Sequence, residues 1–170
     1  GISLMTISSG WPPSQTEYVM VSQDRDVMSY KEDVYKGVEE SINILIPGSI
    51  DMFSVIIKVV RIENSVYAIG SGFRIYKRVD HQIWREHSTY LPVPDGLLDR
   101  KVEAITRSRF RDLSGFSESD MYAVGGTGTV YHFNGEQWKQ LPFPTNKLLY
   151  TVCCAGDGFV YIADFDGAIW

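Results

Sequence analysis

At 170 residues, 44% hydrophobic and 13% aromatic, the chain is long and apolar enough to fold around one sizeable core, which excludes a disordered segment. Its net charge of -5 gives no electrostatic reason to expect a nucleic acid or an anionic membrane as partner, and a basic partner suits it better. No run nears the ~18 apolar residues of a membrane span, and the opening "GISLMTISSGWPP" has neither the charged stretch nor the apolar length of a signal peptide.

Taken in chain order, the first predicted unit is "TEYVMVSQDRDVMSYKEDVYKGVEESINILIPGS", in which Tyr18 stands nine residues before Val27 and Pro47 closes the unit. The second opens on the apolar run "MFSVIIKVV". It continues through "NSVYAIGSGFRIYKRVDHQIW", where Tyr67 stands nine before Tyr76, and ends in "LPVPDGLL". The third runs from "FRDLSGF" through "DMYAVGGTGTVYHFNGEQW", with Tyr122 nine before Tyr131, to "LPFPTNKLL". The fourth begins with "LLYTVCCA" and "FVYIADFDGAIW", with Tyr161 nine before Trp170.

Each unit reads as short segments rich in Val, Ile, Tyr, Phe and Trp, bounded by Gly, Asn, Asp or Pro, which is the pattern of β-strands. Tyr18, Tyr67, Tyr122 and Tyr161 recur every ~40 to 55 residues, the period of a four-stranded β-propeller blade. A blade buries its apolar faces only against neighbours, so an all-β propeller is the predicted fold class. The expected blades are 1–53, 54–98, 110–147 and an incomplete 148–170, with an insertion at 99–109. The expectation is part of a larger ring. A four-blade ring closed by the N-terminal "GISLMTIS" is the second choice, and a ring shared by two chains the third.

The stretch "LSGFSESDMYAVGGTGTVYHFNGEQWKQLP", residues 113–142, resembles a bacterial propeller repeat of the form W-G-x-s-x-x-D-v-y-a-V-G-x-x-G-x-i-x-h-y-d-G-x-x-W, related in architecture to kelch and WD-repeat propellers. Residues 64–84 and 161–170 share parts of the pattern, and 18–47 fewer. The resemblance implies a rigid binding platform. Proteins with this repeat include enzymes and scaffolds as well as binders, so the fold alone does not choose among them.

The chemical motifs are sparse. His81, His87 and His132 form no zinc spacing, and Cys153-Cys154, adjacent on a strand, point to opposite faces and are poorly placed to bridge. No metal and no cofactor is expected. Two free thiols fit a reducing compartment, so a cytoplasmic location is expected, with the periplasm as the alternative. A sialidase Asp-box would need Asp where Phe165 stands before "DGAIW". The closest carboxylate pair, Asp24 and Asp26, reads as a solvated turn, and "GGTG" at 125–128 reads as a hairpin turn with no following helix to make a phosphate loop.

The most informative irregularity is "DRKVEAITRS" at 99–108, which the next repeat lacks; it reads as a connector or short helix. With its surroundings it supplies Arg100, Lys101, Arg107, Arg109 and Arg111, a local basic cluster in an acidic chain, with Trp84 and Tyr90 as expected neighbours. Rim loops of propellers bind partners, so these residues are the candidate partner-binding site. Trp84 and Trp138, at one repeat position, are expected to pack between blades.

A non-catalytic protein-binding propeller is the leading expectation, and the family resemblance points to an immunity protein that neutralises a toxin. The expected partners are another protein, a basic toxin above all, and either the rest of the propeller as a second chain or fragment or a second copy in a homodimer. No nucleic acid and no membrane is expected. The alternative is a carbohydrate-binding or hydrolytic propeller whose site lies in further blades. The predicted innermost strands, "SVIIKVV", "RDLSGF" and "YTVCCA", are mostly apolar and small, which weighs against that alternative.

Overall fold

The computed structural model describes residues 3–8, 17–31, 35–38, 42, 55–88, 91–92 and 102–170. Four antiparallel sheets follow one another along the chain. The first holds β1 (Ser3–Ser8), β2 (Glu17–Ser22), β3 (Val27–Lys31) and β4 (Tyr35–Val38) in sequence order. The second holds β5 (Ile56–Ile62), β6 (Ser65–Gly70), β7 (Arg74–Asp80) and β8 (Ile83–Glu86). After the helix α1 (Val102–Arg107), the third holds β9 (Phe110–Ser117), β10 (Asp120–Gly125), β11 (Thr129–Phe133) and β12 (Trp138–Leu141). The last pairs β13 (Leu149–Cys154) with β14 (Val160–Asp164), and main-chain bonds between Ile162 and Trp170 in both directions begin a third strand.

The first strand of each sheet faces the first strand of the next: β5 lies against β1 and β9, and β9 against β13. Sheets that meet through their first strands fan about a shared hub, which is the arrangement of propeller blades. The segment Ser3–Ser8 is therefore the innermost strand of the first sheet, and it does not complete the last sheet as the four-blade closure would require.

The repeated V-Y-A run is legible in the packing. Successive residues of β6 point to opposite faces. Val66 and Ala68 enter a layer shared with Val19, Val21, Val27 and Val59, whereas Tyr67 and Ile69 enter a second layer with Phe110, Leu113, Met121 and Ala123. In β10, Met121 and Ala123 close that second layer while Tyr122 and Val124 join a third with Leu149, Val152 and Ile162. A strand covered on both faces has no polar alternate positions, and each fully buried Val or Ile contributes about 1.5–3 kcal/mol. Trp84 packs on the first layer and Trp138 on the second, as their shared repeat position implies.

The nine-residue spacing is a pairing register. Ala68 pairs Tyr76 and Ala123 pairs Tyr131, and the same offset joins Ile162 to Trp170. The first sheet differs: Val19 pairs Ser29, so Val27 is not the counterpart of Tyr76. Its turn is two residues longer than the others and carries Arg25 at φ 76°, in the left-handed region.

Hairpin turns lock each sheet to the next one. Ser71 bridges Arg109, and Thr127 bridges Leu148. Gly72 donates its N–H to the Ser108 carbonyl at 2.6 Å, and Gly128 donates to Lys147 at 2.8 Å. At Gly128 the backbone is left-handed (φ 71°) and a Cβ would lie 1.9 Å from the Thr145 carbonyl oxygen, so only glycine fits. The insertion thus carries a short helix at 102–107, seated beside the turns of the second and third sheets, with Glu103 in its first turn and Arg107 in its last, as the helix dipole favours.

Candidate functional site at the hub mouth

The innermost strands share an irregularity. In the second sheet the register passes from Ile56↔Gly70 to Lys58↔Ile69, leaving Ile57 extra. In the third it passes from Phe110↔Gly125 to Asp112↔Val124, leaving Arg111 extra. In the fourth it passes from Leu149↔Asp164 to Thr151↔Ala163, leaving Tyr150 extra. Each is a β-bulge, a device that bends a strand and re-aims side chains. The bulged residue and its successor from all three strands, Ile57-Lys58, Arg111-Asp112 and Tyr150-Thr151, line one hollow of ≈ 280 Å³.

Asp112 is the centre of this hollow and is almost fully buried. Its Oδ1 accepts the Lys58 ammonium at 2.5 Å and the Leu113 N–H at 2.8 Å. Oδ2 accepts the Thr151 hydroxyl at 2.5 Å and the Val152 N–H at 3.2 Å. One carboxylate therefore ties three successive inner strands together. The Lys58 side chain is 45% exposed against 4% for Asp112, so the cation reaches solvent while the anion does not.

Above this network the Arg111 guanidinium lies 5.5 Å from the Tyr150 ring centre, a cation–π contact. Tyr150 in turn meets Phe165 edge-on at 6.2 Å, and both rings are exposed, at 52% and 71%. Arg109 lies two residues before Arg111. Burial first, and the Arg111 charge second, hold its guanidinium below the usual arginine range.

The structure separates the members of the predicted basic cluster. Arg111 lies in β9 at the hub mouth and Arg109 immediately precedes that strand, bridged to Ser71, whereas Arg107 is exposed on α1 and paired with Glu103 at 2.7 Å. Trp84 sits in the outer strand β8 against the first apolar layer. Arg100, Lys101 and Tyr90 lie outside the described residues. Sequence reasoning missed Asp112, Lys58, Tyr150 and Thr151. The available signal was a charged residue inside each of the runs "IIKVV" and "FRDLSGF", because a charge in a strand buried on both faces needs a partner.

A larger hollow of ≈ 680 Å³ opens between the first and second sheets, lined among others by Glu17, Lys31, Lys77 and Arg78. There Arg78 and Glu17 form a largely buried ion pair at 2.5 Å. Among the described residues no group of three His, Cys, Asp or Glu is placed to hold a metal ion.

No family model matches the chain. It is similar to the Immune protein Tsi7 of Pseudomonas aeruginosa, at 33% identity over 108 residues, which cover 64% of this chain and 33% of that protein. The chain thus spans about a third of the length of that relative. Among solved structures, YCF48 from Cyanidioschyzon merolae, a β-propeller, superposes with a TM-score of 0.61 at 12% identity, covering 96% of this chain and 48% of that one. Successive four-stranded sheets about a hub and this likeness together show the fold: this chain forms blades of a β-propeller.

Proposed function

We propose that this chain belongs to a non-catalytic, protein-binding propeller that acts as an immunity protein, neutralising a toxin by covering its active surface. The observation that carries this reading is the 33% identity to a protein named for immunity, on a chain whose fold is a known binding platform. The hub mouth adds physical support, because an exposed Tyr150 and a half-buried Arg111 beside a hollow are the composition of interaction hot spots. The net charge of -5 favours long-range attraction to a basic toxin. Further blades, supplied by a second chain or fragment or by a second copy, would cover the open face of the last sheet. The free thiols of Cys153 and Cys154 suit a reducing, cytoplasmic setting.

The test is co-expression with the candidate toxin from the same bacterium. An immunity protein restores growth and forms a one-to-one complex that blocks the toxin's activity in purified form. A chain that neither binds nor protects, while folded, is not one.

A further inference from the structure

We propose that the hub mouth is a pocket for a single carboxylate side chain presented by the protein partner, gripped by Arg111 and Lys58 beside the Tyr150 ring. This deepens the reading above and rests on the partner being a protein. The charge balance within the hollow is the first argument. Among the described residues its lining holds two cations, Lys58 and Arg111, against one carboxylate, and both oxygens of Asp112 are already engaged by hydrogen bonds from four donors. No acceptor of Asp112 is left for Arg111, which makes no ion pair with any described residue and rests on the Tyr150 ring.

A guanidinium held flat on an aromatic face keeps its N–H edges free, and those edges match a carboxylate in bidentate geometry. Lys58 is half exposed and has N–H donors beyond the one given to Asp112, so it can share a second anion.

Size and surroundings narrow the ligand. A hollow of ≈ 280 Å³ is just below the ~300–1,000 Å³ range of small-molecule pockets and suits one side chain. A polyanion such as nucleic acid would be opposed by the overall charge of -5. The exposed Tyr150 and Phe165 rings at the rim provide apolar area for the segment carrying the carboxylate. Three bulges that turn three consecutive inner strands into one hollow give the site a built character, since a regular strand would place these side chains differently.

The experiment needs no toxin. The isotope-labelled chain is titrated with an N-acetylated tetraglutamate amide and, separately, with its tetraglutamine counterpart, following backbone amide resonances. The proposal expects saturable shifts at Arg111, Tyr150 and Thr151 with tetraglutamate alone. It expects an affinity loss of about tenfold or more in Arg111→Gln and in Tyr150→Ala, and weakening in ~0.5 M sodium chloride. Tyr150 is exposed, so its variant keeps the test alive if Arg111→Gln proves unstable. Equal response to both peptides, unchanged affinity in the folded variants, or shifts centred on Lys77 and Arg78 would overturn it. Peptide binding without toxin neutralisation would sink the functional reading and leave the pocket; neutralisation without peptide binding would sink the pocket alone.

Discussion

The Thr151 hydroxyl donates to the Asp112 carboxylate at 2.5 Å across two inner strands that no hairpin connects. The same carboxylate holds Lys58 from the strand on its other side, so one buried anion spans the hub from the second sheet to the fourth. Asp112→Ala removes four hydrogen bonds at once and is expected to cost about 3 kcal/mol, while Thr151→Val costs about 1 kcal/mol. Urea denaturation of the folded chain measures both. A loss below ~1 kcal/mol for Asp112→Ala would show that the network does not join the blades.

His87 predicts the pH response. Its ring meets Tyr67, Phe133 and Trp138, and the Trp138 indole N–H lies 3.1 Å from the His87 carbonyl and 3.3 Å from its Nδ1. Burial first, then the charge of Lys77, lower its pKa, with Glu118 opposing. The unfolded chain then binds a proton near pH 6.5 that the folded chain refuses, so stability is full above about pH 6.5 and falls as pH drops below it, by at most roughly 1.4 kcal/mol per unit. His87→Gln is expected to flatten that slope below about pH 6.5 in thermal melts. An unchanged slope would show that another group carries it.

Two glycines give a contrast in backbone fit. A Cβ on Gly125 would sit 2.1 Å from the Arg109 carbonyl oxygen and 2.9 Å from the Phe110 Cα, both backbone atoms at the start of the paired strand β9. Gly125→Ala is expected to cost upwards of ~3 kcal/mol. Gly156→Ala meets nothing within 4 Å, has no left-handed φ, and is expected to fall within ~0.5 kcal/mol of the parent. Comparable costs at the two positions would contradict the close approach.

Tyr150→Ala and Phe165→Ala separate function from folding. Both rings are exposed and their loss is expected to move stability by no more than ~0.5 kcal/mol. Toxin affinity, read by calorimetry, is expected to fall about tenfold or more for Tyr150→Ala, which also removes the ring that steadies Arg111.

Sequence patterning conveyed the blade plan because repetition and pairing share a period. The nine-residue intervals from Tyr67 and Tyr122 reappear as the Ala68–Tyr76 and Ala123–Tyr131 pairs, and the two tryptophans pack at the predicted layers. The first hairpin escaped because the Ser22–Asp26 turn is longer and shifts the partner of Val19 to Ser29. The fourth sheet replaces the glycine of Gly70 and Gly125 by Asp164, whose Oδ1 instead accepts the Asp166 and Ala168 N–H groups of its turn. The hub network was not legible for two reasons. A bulge adds one residue to a run without changing its composition, and the partners of Asp112 lie 54 and 39 residues away along the chain. Reading the inner strands as apolar and small therefore passed over their charged members.

Hydrogen exchange on the toxin complex tests the central claim most directly. Docking at the hub mouth predicts protection of residues 109–112, 149–151 and 165 on binding, with the turns at 63–64, 118–119 and 156–158 at the other end of the inner strands unchanged. Protection confined to those far turns, or to the outer strands β8 and β12, would contradict it.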